Sequence, residues 1–432
     1  MNAFLCAALA VSVAAILAGC GGSNSADVPP EPSTVVQGVV FASDAFTSGE
    51  VVAYDYTSGA KGAQLARGSV GYKGRYELAI KGSPAAILVE ADSGCYREFA
   101  LGWDFVGKNR AGPPDNYISA AVNVCTTAPS LSAAVPFSAA PLTVAVTPYT
   151  HAAVGLAQYY QRAQGVSVAT ALSRANGRLS AWVGTNITST LPAAPTRAST
   201  AFSAPVLYGS LLAGIPTWLV SELVFLPGAT FGAGDMTSIA FANLIKNDLR
   251  HDGILNGLGQ TQEGSPVALR IGQAALNTNF YRHHLAVAAV LRIRGETEGV
   301  KDATHAEAES ITAFLPALSA YNDSTSELFD SSPVIPLDEG GAVIRISYPG
   351  AGAIQSNANG LSGFVYDLVG VRDGGTELLV DGVYYAYFNE QYSPSHFINT
   401  TRFPNGPHTL TIRVTNFLGR VTTASVVVTF LN

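Results

Sequence analysis

The sequence predicts a multidomain α+β protein: a β-sandwich, then an all-α domain, then a second β-sandwich. Three observations carry this. Short apolar runs broken by turn residues fill 35–128, helix-like apolar spacing takes over across 141–322, and two-residue alternation returns across 341–432. The chain has 432 residues, enough for several cores, and 48% of them are hydrophobic, which excludes a disordered chain.

The N-terminus reads as an address. Residues 4–18 (FLCAALAVSVAAILA) form an apolar stretch of signal-peptide length, too short to span a bilayer. Leu17-Ala18-Gly19-Cys20 follows and resembles the lipobox of bacterial lipoproteins, although Met1-Asn2-Ala3 lacks the usual Lys or Arg. The resemblance implies removal of residues 1–19, diacylglycerol on the Cys20 thiol, and attachment to a membrane through lipid. Ordinary secretory cleavage nearby is the alternative. Gly21 stands where an Asp would direct inner-membrane retention, so the resemblance implies the outer membrane of the cell envelope. Residues 20–34, rich in Gly, Ser and Pro, read as a flexible tether.

In the first body segment, strands are expected at 35–41, 50–56, 74–80 and 86–91. Val51, Ala53 and Asp55 share one face and Val52 and Tyr54 the other. Cys95 and Cys125 are the two cysteines of the body, and in an exported chain they read as one disulfide. Two separate buried thiols are the alternative. The run Val36-Gln37-Gly38-Val39-Val40, then Val51-Val52-Ala53-Tyr54, then Gly74-Arg75-Tyr76-Glu77-Leu78 resembles carboxypeptidase-regulatory-like (prealbumin-like) domains. That resemblance implies a turn at Gly74 feeding a strand whose Tyr76 and Leu78 enter the core. The bridge would then tie the looser stretch at 103–123 back to the sandwich.

Across 141–322, Thr147-Pro148 is a helix cap with proline at the first helical position, and Val154, Leu156, Ala157 and Tyr160 follow at helical spacing. Further helices are expected from 168 to a stop at Gly184, and at 236–249, 266–294 and 303–321. The very apolar stretch 204–225 contains Pro205, Pro216 and Glu222, which favours buried helices over a membrane span. Val146-Thr147-Pro148-Tyr149-Thr150, with Ala175-Asn176 and Trp182-Val183-Gly184, resembles a helical region of exported proteins and implies architecture only.

In the last segment Leu410, Ile412 and Val414 face one way, as do Ala424, Val426, Val428 and Phe430. Val380-Asp381-Gly382, Asn405-Gly406-Pro407-His408-Thr409-Leu410 and Asn416-Phe417-Leu418-Gly419-Arg420 resemble bacterial Ig-like domains. Asn405 and Asn416 replace the family's Asp, which weakens any calcium site but suits the turns.

Motifs of catalysis are scarce. No H-E-x-x-H, C-x-x-C, G-x-S-x-G or phosphate loop occurs, so no catalytic residue, metal ligand or cofactor is assigned. Adjacent His283 and His284 point about 100° apart on a helix, so one is expected to pack and the other to be solvated. His305, Glu307 and Glu309 suit a helix start. Asp248, His251, Asp252, Gly253, Asn256 and Gly257 read as a helix end and glycine turn rather than a calcium loop. The net charge of −7 excludes a nucleic-acid partner.

The best binding candidates are the aromatics Tyr384, Tyr385, Tyr387 and Tyr392, with Phe388, in a loop-like stretch after Asp381-Gly382. Core filling is the alternative. Trp103, Asp104 and Phe105 are a weaker counterpart. The expected function is a lipid-anchored binding or scaffold protein of the envelope, not an enzyme, with glycans or envelope proteins as partners. The alternatives are a hydrolase with its site among the helices, and a structural subunit of an envelope assembly.

Overall fold

The computed structural model describes residues 33–98, 122–194, 203–225, 237–261, 264–271, 274–298, 304–337, 341–367, 371–388, 394–416 and 419–432. The expected leader, Cys20, the aromatics at 103–105 and Tyr392 lie outside them. The architecture is mixed α+β, with strand outweighing helix.

Among the described residues the first β body has eight strands: β1 (Ser33–Val40), β2 (Ser48–Asp55), β3 (Gln64–Ser69), β4 (Arg75–Lys81), β5 (Ala86–Glu98), β6 (Val122–Thr126), β7 (Ser132–Pro136) and β8 (Leu142–Val146). One sheet runs β4-β1-β8; the facing sheet runs β3-β2-β5-β6, with β7 also on β5. Val36, Val40, Leu78 and Val144 of the first bury against Val51, Ala53, Ile87 and Val89 of the second. Tyr76 is also buried here and donates its hydroxyl to Val144 O at 2.6 Å. Cys95 sits opposite Cys125 in the β5–β6 register, and the two sulfurs are bonded. β3 escapes the sequence pattern because it is an edge strand whose side chains are mostly solvated.

Among the described residues six α-helices follow: α1 (Pro148–Gln164), α2 (Val168–Val183), α3 (Ala204–Phe225), α4 (Ser238–Asp252), α5 (Leu285–Glu298) and α6 (Thr304–Asn322). Their caps are local. Thr147 accepts from Thr150 N–H in a capping box, Ser167 and Thr237 cap α2 and α4, and Gly165, Gly184 and Gly253 end helices with positive φ. Gly214 lets α3 lie against α5, where a Cβ would come within 2.8 Å of Ala289 N. Among the described residues no helix is long and apolar enough to cross a membrane.

Two expectations for this segment are corrected. The boundaries at 128 and 141 do not separate an all-α domain, because β7 and β8 complete the first β body. Alternate residues of β5 explain this. Ile87 and Val89 face the other sheet, while Ala86 and Leu88, with Tyr56 and Ala134, pack against Leu156, Leu172 and Trp182 of the helices. An unbroken run such as Ala86-Ile87-Leu88-Val89 is what a strand covered on both faces requires.

The helix expected over 266–294 is the second correction. Its first part forms two short hairpins, β9 (Leu258–Gln260) with β10 (Pro266–Ala268) and β11 (Arg270–Ile271) with β12 (Ala274–Ala275). Gly264, at φ +88°, and Pro266 favour the turn over the helix. Helical backbone begins at Thr278, passes through a π turn at Phe280–His284 and continues into α5.

The last segment forms its own core between a three-stranded and a five-stranded sheet. Its strands are β13 (Val343–Tyr348), β14 (Ile354–Gln355), β15 (Ala358–Tyr366), β16 (Val371–Val380), β17 (Val383–Tyr387), β18 (Ser395–Asn399), β19 (Gly406–Asn416) and β20 (Val421–Phe430). The sheets run β13-β15-β18 and β14-β20-β19-β16-β17. Leu361, Val365 and Ile398 of the first meet Leu378, Leu410, Ile412 and Val428 of the second.

Gln355, on β14, is fully buried, and neither polar atom of its side chain has a hydrogen-bond partner among the described residues. Gln355→Met keeps the shape and removes the desolvated amide. It should raise stability by about 1–2 kcal/mol, read as a higher melting temperature; a lower one would overturn the argument.

Candidate functional site

The aromatic segment is a strand, not a loop, which corrects the sequence expectation. Asp381 (φ +51°) and Gly382 (φ +79°) form a two-residue turn between the paired Val380 and Val383. Asp-Gly is the residue pair such hairpins favour, so the signal for β17 was present in the sequence. β17 is the edge strand of the five-stranded sheet.

A bulge in β17 decides where the tyrosines point. Ala386 pairs with Leu378 and Tyr384 with Leu379, leaving Tyr385 as the extra residue; Tyr387 pairs with Glu377. Leu378 faces the core, so Leu379 and Glu377 face outward, and Tyr384 and Tyr387 stand with them. Regular alternation would have put residues three apart on opposite faces.

Tyr384 and Tyr387 are 53% and 59% exposed. Beside them on the outer face lie the Arg413–Glu377 ion pair (2.5 Å) and the Thr411–Ser425 hydroxyl pair (2.8 Å). Tyr385 turns in, its hydroxyl accepting from Asn399 N–H at 3.1 Å, and Phe388 is buried in the core. The structure therefore brings two of the named tyrosines to one surface.

The turn that carries β17 is pinned to β19. Asp381 accepts from Thr409 N–H (2.8 Å) and from His408 Nδ1 (2.6 Å), while His408 Nε2 faces Pro404 O at 2.8 Å. Both imidazole nitrogens meet acceptors, which suits the doubly protonated ring. Burial opposes that charge, but the hydrogen bonds to Asp381 and Pro404 and the carboxylate's charge prevail and raise the His408 pKa. For Asp381, burial is outweighed by the Thr409 and His408 hydrogen bonds, and its pKa falls. These contacts give His408 and Asp381 a structural role.

Where the first β body meets the helices, the described residues hold a chain of catalytic residue types. Ser132 Oγ lies 2.9 Å from His151 Nδ1, and His151 Nε2 lies 3.1 Å from Asn243 Oδ1. Asn243 Nδ2 donates to Ile239 O, which sets the amide so that its oxygen faces the ring. His151 therefore carries its proton on Nε2 and accepts from Ser132. Ser132 and His151 are only 2% and 4% exposed, which leaves a substrate no path to the hydroxyl. Burial, then the charge of Lys246, pulls the His151 pKa down to about 3, too weak a base to activate serine near neutral pH. The chain joins β7, α1 and α4.

Other polar clusters are also structural. Asp248 accepts from Gly257 N–H at 2.9 Å, and Asp252 accepts from Ile254 N–H and Asn256 Nδ2, so these carboxylates hold the turn after α4. Glu98, which sequence reasoning missed, is wholly buried and accepts from Ser238 N–H, Ser238 Oγ and Tyr96 Oη at the start of α4. Burial raises its pKa against those hydrogen bonds. His283 and His284 do not divide into one packed and one solvated ring. Both are half-buried in the π turn, with His283 Nδ1 3.3 Å from Asn322 Oδ1 and His284 stacked on Phe280. His305, Glu307 and Glu309 fall in α6, which begins at Thr304.

No family model matches the chain, and no curated protein sequence does. Among solved structures, an endo-β-1,4-mannanase from Thermotoga petrophila is similar over 29% of this chain and 24% of its own, at 14% identity and a TM-score of 0.19. The chain thus spans about a quarter of that structure's length. Fibronectin(III)-like modules of CbhA from Clostridium thermocellum are similar over 20% of this chain and 94% of theirs, at 16% identity and a TM-score of 0.18.

Proposed function

We propose that the chain is an envelope lipoprotein, held to the outer membrane by lipid on Cys20, that binds envelope glycan through its last β module. In this reading the first β body is prealbumin-like and the last is Ig-like. The observation that carries the binding role is the pair Tyr384 and Tyr387, displayed on one outer sheet face beside polar side chains. Exposed tyrosines offer rigid apolar faces to the C–H surface of a sugar ring. The lipobox-like Leu17-Ala18-Gly19-Cys20 supports the anchor. The hydrolase alternative draws no support from Ser132, His151 and Asn243, whose hydroxyl is sealed from substrate.

Two measurements test the proposal. Intact-mass analysis of membrane-extracted protein should find a chain beginning at a diacylated Cys20, and Cys20→Ser should block processing and flotation with membranes. Normal processing and flotation of that variant would remove the anchor. Co-sedimentation with purified peptidoglycan sacculi should weaken by about tenfold, the scale of two stacking contacts, in Tyr384→Ala/Tyr387→Ala. Unchanged retention, or none in the parent protein, would remove the binding role.

A further inference from the structure

The first β body carries a cavity of about 570 Å³, lined by Gln37, Gly38, Gly68, Ser69, Gly71, Arg75, Tyr76, Glu77 and Leu191. That volume suits a small ligand. Its walls come from distant parts of the chain. Gln37 and Glu77 are cross-strand partners on β1 and β4, Arg75 shares their face two residues away, and Ser69 ends β3. Leu191 arrives from the loop after α2, a loop tied to β8 by the bond from Ala145 N–H to Thr188 O (2.7 Å).

The chemistry of the lining is specific. Gln37, Arg75 and Glu77 present a carboxamide, a guanidinium and a carboxylate, three planar groups able to make paired hydrogen bonds. All three are exposed, and none has a side-chain hydrogen bond or ion pair with another described residue. Arg75 and Glu77 cancel in charge, which disfavours a strongly anionic or cationic ligand. Leu191 adds a small apolar contact. Adjacent hydroxyls on a ring with an apolar C–H face match this set.

The glycines divide by role. A Cβ on Gly38 would lie 1.8 Å from Val144 O, and one on Gly68 would lie 2.9 Å from Leu78 Cδ2, so packing demands both. Gly71 is different. Its φ of −96° suits any residue, and a Cβ there would meet only Arg75 O at 3.6 Å. Packing leaves that position free, and the missing side chain keeps the cavity open. We propose that this cavity binds a neutral mono- or disaccharide unit through Gln37, Arg75 and Glu77.

This site is separate from Tyr384 and Tyr387, so the two proposals fail independently. Saturation-transfer NMR on the full chain carrying Tyr384→Ala/Tyr387→Ala, so that the tyrosine face adds no transfer, with maltose, cellobiose, lactose and N,N′-diacetylchitobiose provides the test. At least one sugar should show transfer. Arg75→Ala/Glu77→Ala and Gly71→Leu, the latter filling the cavity without backbone strain, should each weaken that sugar by about tenfold or more. Circular dichroism melting of each variant alongside the parent keeps loss of fold from passing as loss of binding. No transfer from any of the four sugars, or transfer that survives both cavity variants, would overturn the site.

Discussion

Trp182→Ala is expected to lower the stability of the helical body by about 3–5 kcal/mol, the range for removing a large buried ring. The indole, on α2, lies stacked on Tyr321 of α6 (4.7 Å), edge-on to Tyr149 of α1 (5.5 Å) and edge-on to Phe329 (5.2 Å). Tyr321 Oη donates to Tyr281 O, so the 3.0 Å contact between hydroxyls is donated by Tyr149. Truncation would open a void touching every one of these elements. Trp182 Nε1 is buried without a hydrogen-bond partner among the described residues, so Trp182→Phe removes that unmatched donor along with some volume and should cost much less. Urea denaturation of both variants checks this. Equal losses would show that ring packing is not what matters at position 182.

Acidification should produce the second large effect, through His151. Its pKa is held at about 3 in the folded chain, first by burial and then by the charge of Lys246, with the Asn243 hydrogen bond opposing; the unperturbed value is 6.5. A base whose folded pKa is depressed takes up protons on unfolding. Its contribution is complete above pH 6.5 and is lost as the pH falls toward 3, up to about 4–5 kcal/mol. Asp248 acts in the opposite sense. Burial raises its pKa to about 7, and that contribution is present at low pH and lost as the pH rises through 7.

His151→Gln separates the two. Glutamine can accept from Ser132 and donate to Asn243 yet does not titrate. The variant should match the parent at neutral pH and lose less stability on acidification. Parallel denaturation curves for both proteins across that window would show that His151 is not the responsible group.

Much of the local structure was legible because its causes are local. The caps at Thr147, Gly184 and Gly253 rest on residues within one turn, and alternation in β19 rests on neighbours along a single strand. The helix expected from Pro266 failed because apolar residues in short hairpins and in helices overlap in pattern. Gly264 and Pro266 were the better guide. Asp381-Gly382 signals the tight hairpin that makes the tyrosine stretch a strand, but nothing local marks Tyr385 as its bulged residue.

By itself the sequence determined where most strands, helices and turns lie and which residue types each could present, because propensity, capping and turn conformation act over a few residues. Tertiary structure alone decided which faces are shared. It covers β5 on both sides, so one core lies between the two first sheets and another between the β5 sheet and the helices. It buries Ser132 and His151 together, turns Tyr384 and Tyr387 to the same face, and brings Leu191 beside Arg75 and Glu77. Each of these depends on contacts between residues far apart in the chain, set by the burial of apolar surface across whole sheets and helices, and no local pattern encodes them.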